Sequence, residues 1–322
     1  MGKETVFSRL HSQSRSSMSL AHFFYFGATV RQADDLKSAV AYAASNYDYV
    51  DGKALGSLEA LLESTTPESP LPAFTFVHLI GVDAISHRFG PASREARDYL
   101  ASVDRELGRL CDRVLTLESE GIRPIILLTA EHGFTTVRRF ADLEGWIGKE
   151  APGTTVLNEG RFLGLRFPSP LDESQRSALL ARASTASRNV AWTLQRAGNR
   201  VWIRGPGIQA SFEYSEGACD SSTSPVHPIR WQGGNALCPA DLDRVAMSPF
   251  PPYFFSNVAT YFESRYHPDA LILAADHVLF SRGYKGAHGG LTLEELLVPV
   301  LARNADLHPT RALSEPSSFS GS

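Results

Sequence analysis

Residues 74–91 read FTFVHLIGVDAISHRFGP. The run 74–80 is apolar, with aromatic and β-branched members, and predicts a buried strand ending at Gly81. Asp83 follows, and His87 stands four residues later, one helical turn on. A carboxylate and an imidazole at that spacing beyond a strand tip suit a divalent metal. Two further stretches repeat the design. Residues 124–130 (PIILLTA) predict a second buried strand, which delivers Glu131 and His132 ahead of Gly133. Residues 286–301 (GAHGGLTLEELLVPVL) place His288 among small residues before another apolar strand. Three strand-linked histidines, two of them with a carboxylate partner, form the functional signal.

Between the first two stretches the pattern predicts a long helix over residues 93–118. Ala96, Tyr99, Val103, Leu107, Leu110, Val114 and Leu117 recur at three- and four-residue spacing, a core-facing stripe. Ser93 is a suitable N-cap, and Gly121 ends the helix. Strand, helix and strand in that order predict a parallel sheet with a right-handed crossover. Upstream, residues 6–10 read as a helix end and residues 17–26 as a strand closed by Gly27. Helices are predicted at about 34–44, started by Asp34 and Asp35, and at 54–62; residues 65–72 read as a Pro/Ser-rich loop.

From about residue 136 the pattern changes to short strands (161–167, 190–194, 201–203, 209–214), a helix at 173–183 and a long exposed loop at 215–235. The main sheet is expected to resume at 269–275 and to end at 296–302. The fold class that follows is α/β, a mostly parallel central sheet with helices on both faces and an inserted α+β subdomain. Residues 1–136 and 254–304 form the core, 137–253 the insertion, and 305–322 a disordered tail.

A chain of 322 residues can bury a substantial core, and 43% hydrophobic with 20% charged residues is ordinary for a globular protein. The net charge of −4 argues against a nucleic-acid polymer or an acidic membrane surface as main partner. No apolar run approaches the ~20 residues of a membrane span, and the opening MGKETVFSRLHSQ has no secretory apolar region. The compartment stays open. Cys219 and Cys238 can pair in an oxidising compartment, but free thiols are expected, with Cys111 on the core side of the long helix.

Asp83, His87 and His288 supply one carboxylate and two imidazoles, enough for three protein ligands with a fourth position left for water or substrate. Glu131 and His132 offer half of a second site. Two divalent ions about 4 Å apart suit in-line displacement at phosphorus. Gly81, Gly133, Gly289 and Gly290 allow tight turns around an anion. His22 and His78 read as core or near-site residues, and His267 and His277 as residues lining an approach at most. Trp192, Trp202 and Trp231 read as packing in a small sheet, and Asp51, within YDYVDG, as a surface or capping residue.

GVDAISHRFGP (81–91), the following helix SREARDYLASVDRELGRL (93–110), LLTAEHGF (127–134) and GAHGGLTLEELLVPVL together resemble the type I phosphodiesterase/nucleotide pyrophosphatase family of the alkaline phosphatase superfamily. Ser86 stands where that family more often has Gly. The resemblance covers most of residues 5–304. It implies an alkaline-phosphatase-like fold, two divalent ions that are most readily Zn2+, and a small phosphoester or nucleotide substrate hydrolysed through a phospho-threonine or phospho-serine. Asp83, His87 and His288 would form one site, and Glu131 with His132 part of the other, Glu131 replacing the family's Asp. The family's opening Asp-Gly strand and its nucleophile find no match here. The first reading is a metal-dependent phosphoester hydrolase using two divalent ions, with little or no phosphodiesterase activity expected of the chain as written. The alternative is a truncated or degenerate, non-catalytic form of the fold with at most one metal site.

Overall fold

The computed structural model describes residues 4–20, 25–31, 36–169, 171–186, 188–215, 219, 227–245, 250–251, 253–264 and 267–303. The expected tail, His22, the Asp34-Asp35 helix start and much of the 215–235 loop lie outside them.

The chain opens with α1 (Val6–Ser12), β1 (Ser17–Leu20), β2 (Val30–Arg31), α2 (Leu36–Ala43), α3 (Tyr47–Glu63) and β3 (Phe74–Val77). Then come α4 (Gly81–Phe89), α5 (Arg94–Ser119), β4 (Ile126–Thr129), β5 (Thr135–Thr136), β6 (Arg139–Phe140) and α6 (Leu143–Glu150). Next are β7 (Thr155–Asn158), β8 (Phe162–Arg166), α7 (Glu173–Ala186), β9 (Val190–Ala197), β10 (Arg200–Gly205) and β11 (Ile208–Tyr214). The chain continues with β12 (Ile229–Trp231), β13 (Ala236–Leu237), α8 (Pro239–Val245), α9 (Phe254–Glu263) and β14 (Ala270–Ala274). It closes with β15 (Val278–Leu279), β16 (Gly286–Ala287), α10 (Leu293–Leu296) and β17 (Val300–Arg303). Two compact units result, residues 1–84, 98–130 and 299–322 in one and residues 85–97 and 131–298 in the other, the division passing through α4 and α5. Among the described residues no helix is long and apolar enough to cross a membrane.

In the first unit β2, β1 and β3 form a parallel sheet. The stripe predicted on α5 is the buried one. Leu110, Val114 and Leu117 pack with Leu55 and Leu62 of α3, and the Ser93 hydroxyl accepts from the Ala96 N–H at 3.0 Å. β4 departs from expectation. Among the described residues it pairs with β17 alone, antiparallel, and Leu127, Val300 and Leu301 are 60–62% exposed. Its apolar run predicts burial, yet only Ile126 reaches the α3–α5 core.

The second unit overturns the expected mostly parallel sheet. The eight strands of its largest sheet, in the order β13-β12-β11-β10-β9-β14-β8-β7, are paired antiparallel throughout. Among the described residues, parallel pairing is confined to β1–β2, β1–β3 and β6–β15. Short turns dictate this. Gly198-Asn199 joins β9 to β10, and Pro206-Gly207 joins β10 to β11, with Gly198 at φ +60° and Gly207 at φ +74°. Two-residue turns can only reverse the chain. β14, expected in a resumed main sheet, lies between β9 and β8. Its Ala270 and Ile272 face a core shared with α6 and α7, while Leu271 and Leu273 face Phe254, Phe255 and Phe262 of α9. Helices thus cover both faces, and the continuous apolar run reports two-sided burial, not strand direction.

Cys219 and Cys238 form a disulfide, against the expectation of free thiols. The β11–β12–β13 meander, with Tyr214 beside Ile229 and Ile229 beside Leu237, brings them to a Cα separation of 5.7 Å. Cys111 is a half-buried free thiol.

Candidate metal centre

Two residues of pairing bring the histidine loops together. β5 and β16 run antiparallel with Ala287 opposite Thr135 and Gly286 opposite Thr136, so the residues after Ala287 and before Thr135 meet. His132 and His288 stack there, ring centroids 3.5 Å apart and planes 12° from parallel. His87, in the last turn of α4, places its Nε2 3.1 Å from His288 Nε2. Phe134 and Tyr284 each lie 5.0 Å, centroid to centroid, from the His87 ring.

Backbone carbonyls orient two of the imidazoles. His87 Nδ1 is 3.0 Å from the Gly286 carbonyl and His132 Nδ1 is 3.1 Å from the Gly133 carbonyl. A carbonyl only accepts, so each Nδ1 carries the proton and each Nε2 presents its lone pair. That is the tautomer a metal ligand needs. Gly286 must be glycine for this approach, since a Cβ there would fall 2.3 Å from the Ser86 carbonyl oxygen.

Asp83 lies in the first turn of α4. The start of that helix is held by Asp51, a buried residue rather than a surface one. Its carboxylate accepts from the Ile80 and Gly81 N–H groups, each at 2.9 Å, and from the Tyr99 hydroxyl at 3.0 Å. It is a cap supplied from α3, placing negative charge at the positive end of α4. Burial pushes the Asp51 pKa above the ordinary carboxylate value, against the opposing pull of these hydrogen bonds. Burial, and then the Asp51 charge, raise the Tyr99 hydroxyl as well. Gly81 leaves room for that hydroxyl, because a Cβ would stand 2.0 Å from it.

His87, His132 and His288, all in the second unit, bring three imidazoles together. Imidazole is a borderline donor that suits zinc or a similar divalent ion. The sequence predicts His288 and His132 at different sites, and the structure stacks them on one another. His87 stands against His288, and Glu131 points outward, its side chain 66% exposed with Oε1 3.5 Å from His132 Nε2. The residues present fit one ion.

Sequence reading missed Phe134 and Tyr284 as neighbours of the centre; the place of Phe134 in the Glu-His-Gly-Phe run was the only local sign. His277 adopts φ +62° with its Nδ1 2.9 Å from the Thr136 carbonyl. Trp192 and Trp231 pack against Phe250, Phe254 and Phe255, as expected for core residues of a small sheet.

The type I phosphodiesterase / nucleotide pyrophosphatase family matches residues 4–229, a range that takes in Asp83, His87, Glu131 and His132 and stops short of His288. No curated protein matches the chain in sequence. The fold is similar to that of murine ectonucleotide pyrophosphatase / phosphodiesterase 5, solved as an inactive variant in complex with AMP, at a TM-score of 0.54 and 13% identity. It is similar also to the human ectonucleotide pyrophosphatase / phosphodiesterase 5, at a TM-score of 0.53 and 11% identity. Each likeness covers 93% of this chain and 63% of the other, so the chain spans less than two thirds of those structures. At such identities the likeness concerns the fold alone. The matched family sequence and the shared alkaline-phosphatase-like fold agree: this chain belongs to the type I phosphodiesterase / nucleotide pyrophosphatase family.

Proposed function

We propose that this chain holds one divalent ion, zinc by the nature of its donors, and binds small phosphate-bearing molecules there without turning them over. The observation that carries the reading is the face-to-face stack of His132 on His288, which sets a histidine expected at a second site beside the first. When bound, an ion at these donors supplies a Lewis-acidic partner for a phosphoryl oxygen. The carbonyl of Gly133 keeps His132 in the ligating tautomer. His87, held likewise by Gly286, borders the open side together with Phe134 and Tyr284. The paired ions that in-line displacement uses are not matched by a second donor group among the described residues. The family acts on phosphoric esters, and the murine relative was solved with AMP, which makes a nucleoside monophosphate the first ligand to try.

The test is elemental analysis of the full chain reconstituted with zinc and freed of loose ion, followed by calorimetric titration with AMP. The expected result is one zinc per chain, lost in Asp83→Ala and His288→Ala, and AMP binding that requires the zinc. A folded chain without zinc defeats the metal reading. Hydrolysis of bis(p-nitrophenyl) phosphate that His288→Ala abolishes defeats the non-catalytic one.

A further inference from the structure

Both histidine loops are tied to one buried residue, Glu295 in α10. Its main-chain carbonyl accepts from the N–H of Gly133, next to His132, at 2.8 Å. Its carboxylate accepts from the N–H of Gly290, two residues beyond His288, at 2.9 Å, and from the Thr292 hydroxyl at 2.7 Å. The approach is close on both sides. A Cβ on Gly133 would fall 2.0 Å from the carbonyl oxygen of Glu294, and one on Gly290 would fall 2.5 Å from the Glu295 carboxylate.

Arg161 grips that carboxylate from behind. Nε lies 2.8 Å from one carboxylate oxygen and Nη2 lies 2.9 Å from the other, and both side chains are fully buried. The remaining amine, Nη1, donates to the carbonyls of Ala275 at 2.7 Å and Val278 at 2.5 Å. Arg161 immediately precedes β8, so its anchor is the eight-stranded sheet. Burying two charges is costly, and apolar side chains of similar size pack as well in many proteins. The hydrogen bonds of Glu295 end on the two loops that carry His132 and His288, and Arg161 ties Glu295 to the carbonyls of Ala275 and Val278.

We propose that Arg161 and Glu295 are positioning residues of the metal centre: the pair sets the spacing of His132 and His288, and through it the affinity for the ion. The proposal rests on the one-ion reading. Neither residue touches the donors, so each acts through the loop it holds.

The test measures zinc affinity of the full chain by competition with a chromophoric chelator, and ligand geometry by cobalt(II) absorption. Arg161→Met/Glu295→Leu removes both charges together and leaves no unpaired buried ion. Folded by thermal melt, it is expected to bind zinc about 10–100-fold more weakly and to shift the cobalt spectrum. Glu295→Gln keeps a side-chain oxygen for the Gly290 N–H and is expected to recover part of that loss. Unchanged zinc affinity in the folded double variant overturns the proposal. If the double variant does not fold, amide exchange of the metal-free wild type decides. Slow, matched exchange at Gly133 and Gly290 supports the shared tether, and fast exchange at either overturns it. A wild type that binds no zinc removes the one-ion reading, and the exchange data then show separately whether the tether stands.

Discussion

His132 and His288 lie face to face, 3.5 Å between ring centroids and 12° between planes, although they belong to loops far apart in the chain. The stack exists because β5 and β16 pair in one register. A slip by one residue would send one imidazole to the opposite face. Which histidines meet is therefore decided by two residues of strand pairing.

Glu131 and His132 are neighbours with different expected roles. His132→Ala removes a donor and is expected to abolish tight zinc binding. Glu131→Gln, at an exposed carboxylate, is expected to leave one zinc per chain. Chelator competition on both variants checks this. Loss of zinc from Glu131→Gln would show that its carboxylate turns inward to ligate.

Asp51 caps α4 from inside the first unit, so Asp51→Ala leaves two main-chain N–H groups and the Tyr99 hydroxyl without their acceptor. The expected cost is about 1–3 kcal/mol of stability in urea denaturation. Tyr99→Phe, which removes one bond of the three, is expected to cost about 1 kcal/mol. Gly81→Ala forces a Cβ into the Tyr99 ring and is expected to be at least as damaging as Asp51→Ala. A neutral Asp51→Ala would mean that water replaces the cap.

Acid stability carries the mark of Glu295. Burial alone would raise its pKa, but the Arg161 guanidinium, the Thr292 hydroxyl and the Gly290 N–H outweigh burial and hold it below the ordinary 4.5. A carboxyl depressed in the folded state adds stability that is fully present above its unfolded value and is lost as pH falls through its folded one. Thermal melts taken downward from neutral pH are expected to show wild-type stability declining below the ordinary glutamate value. Arg161→Met/Glu295→Leu is expected to lose this part of the slope. Identical slopes in the two proteins would assign the acid sensitivity to other carboxylates.

The Cys219–Cys238 bridge closes a loop over 19 residues of sequence separation. Cys219→Ser/Cys238→Ser is expected to lower stability by about 3 kcal/mol, from loop-closure entropy in the unfolded chain. Zinc stoichiometry is expected to stay the same, because the bridge ties β11 to β13 and not the histidine loops. Wild-type stability insensitive to reductant would show that the two thiols do not pair in solution.

Much of the fold was legible wherever one element carries its own evidence. The α5 stripe from Ala96 to Leu117 needs only helical periodicity, and the Ser93 cap needs only its neighbours. Strand direction was not legible. β14 is buried on both faces, and an antiparallel strand between two helical layers shows the same apolar run as a parallel one. β4 misled for the complementary reason: its run predicts neighbours on both sides, and among the described residues it has only β17.

At the candidate site the sequence by itself marked Asp83, His87, His132 and His288 as candidate donors, because each sits in a short segment bordered by glycine or small residues. Tertiary structure alone decided that His132 stacks on His288 while Glu131 faces solvent. It alone also revealed Arg161, whose partners at residues 275, 278 and 295 leave no trace around residue 161. The physical reason is the range of the forces involved. Periodicity and capping act within a few residues, whereas strand register and buried charge pairing join segments that only the folded chain brings together.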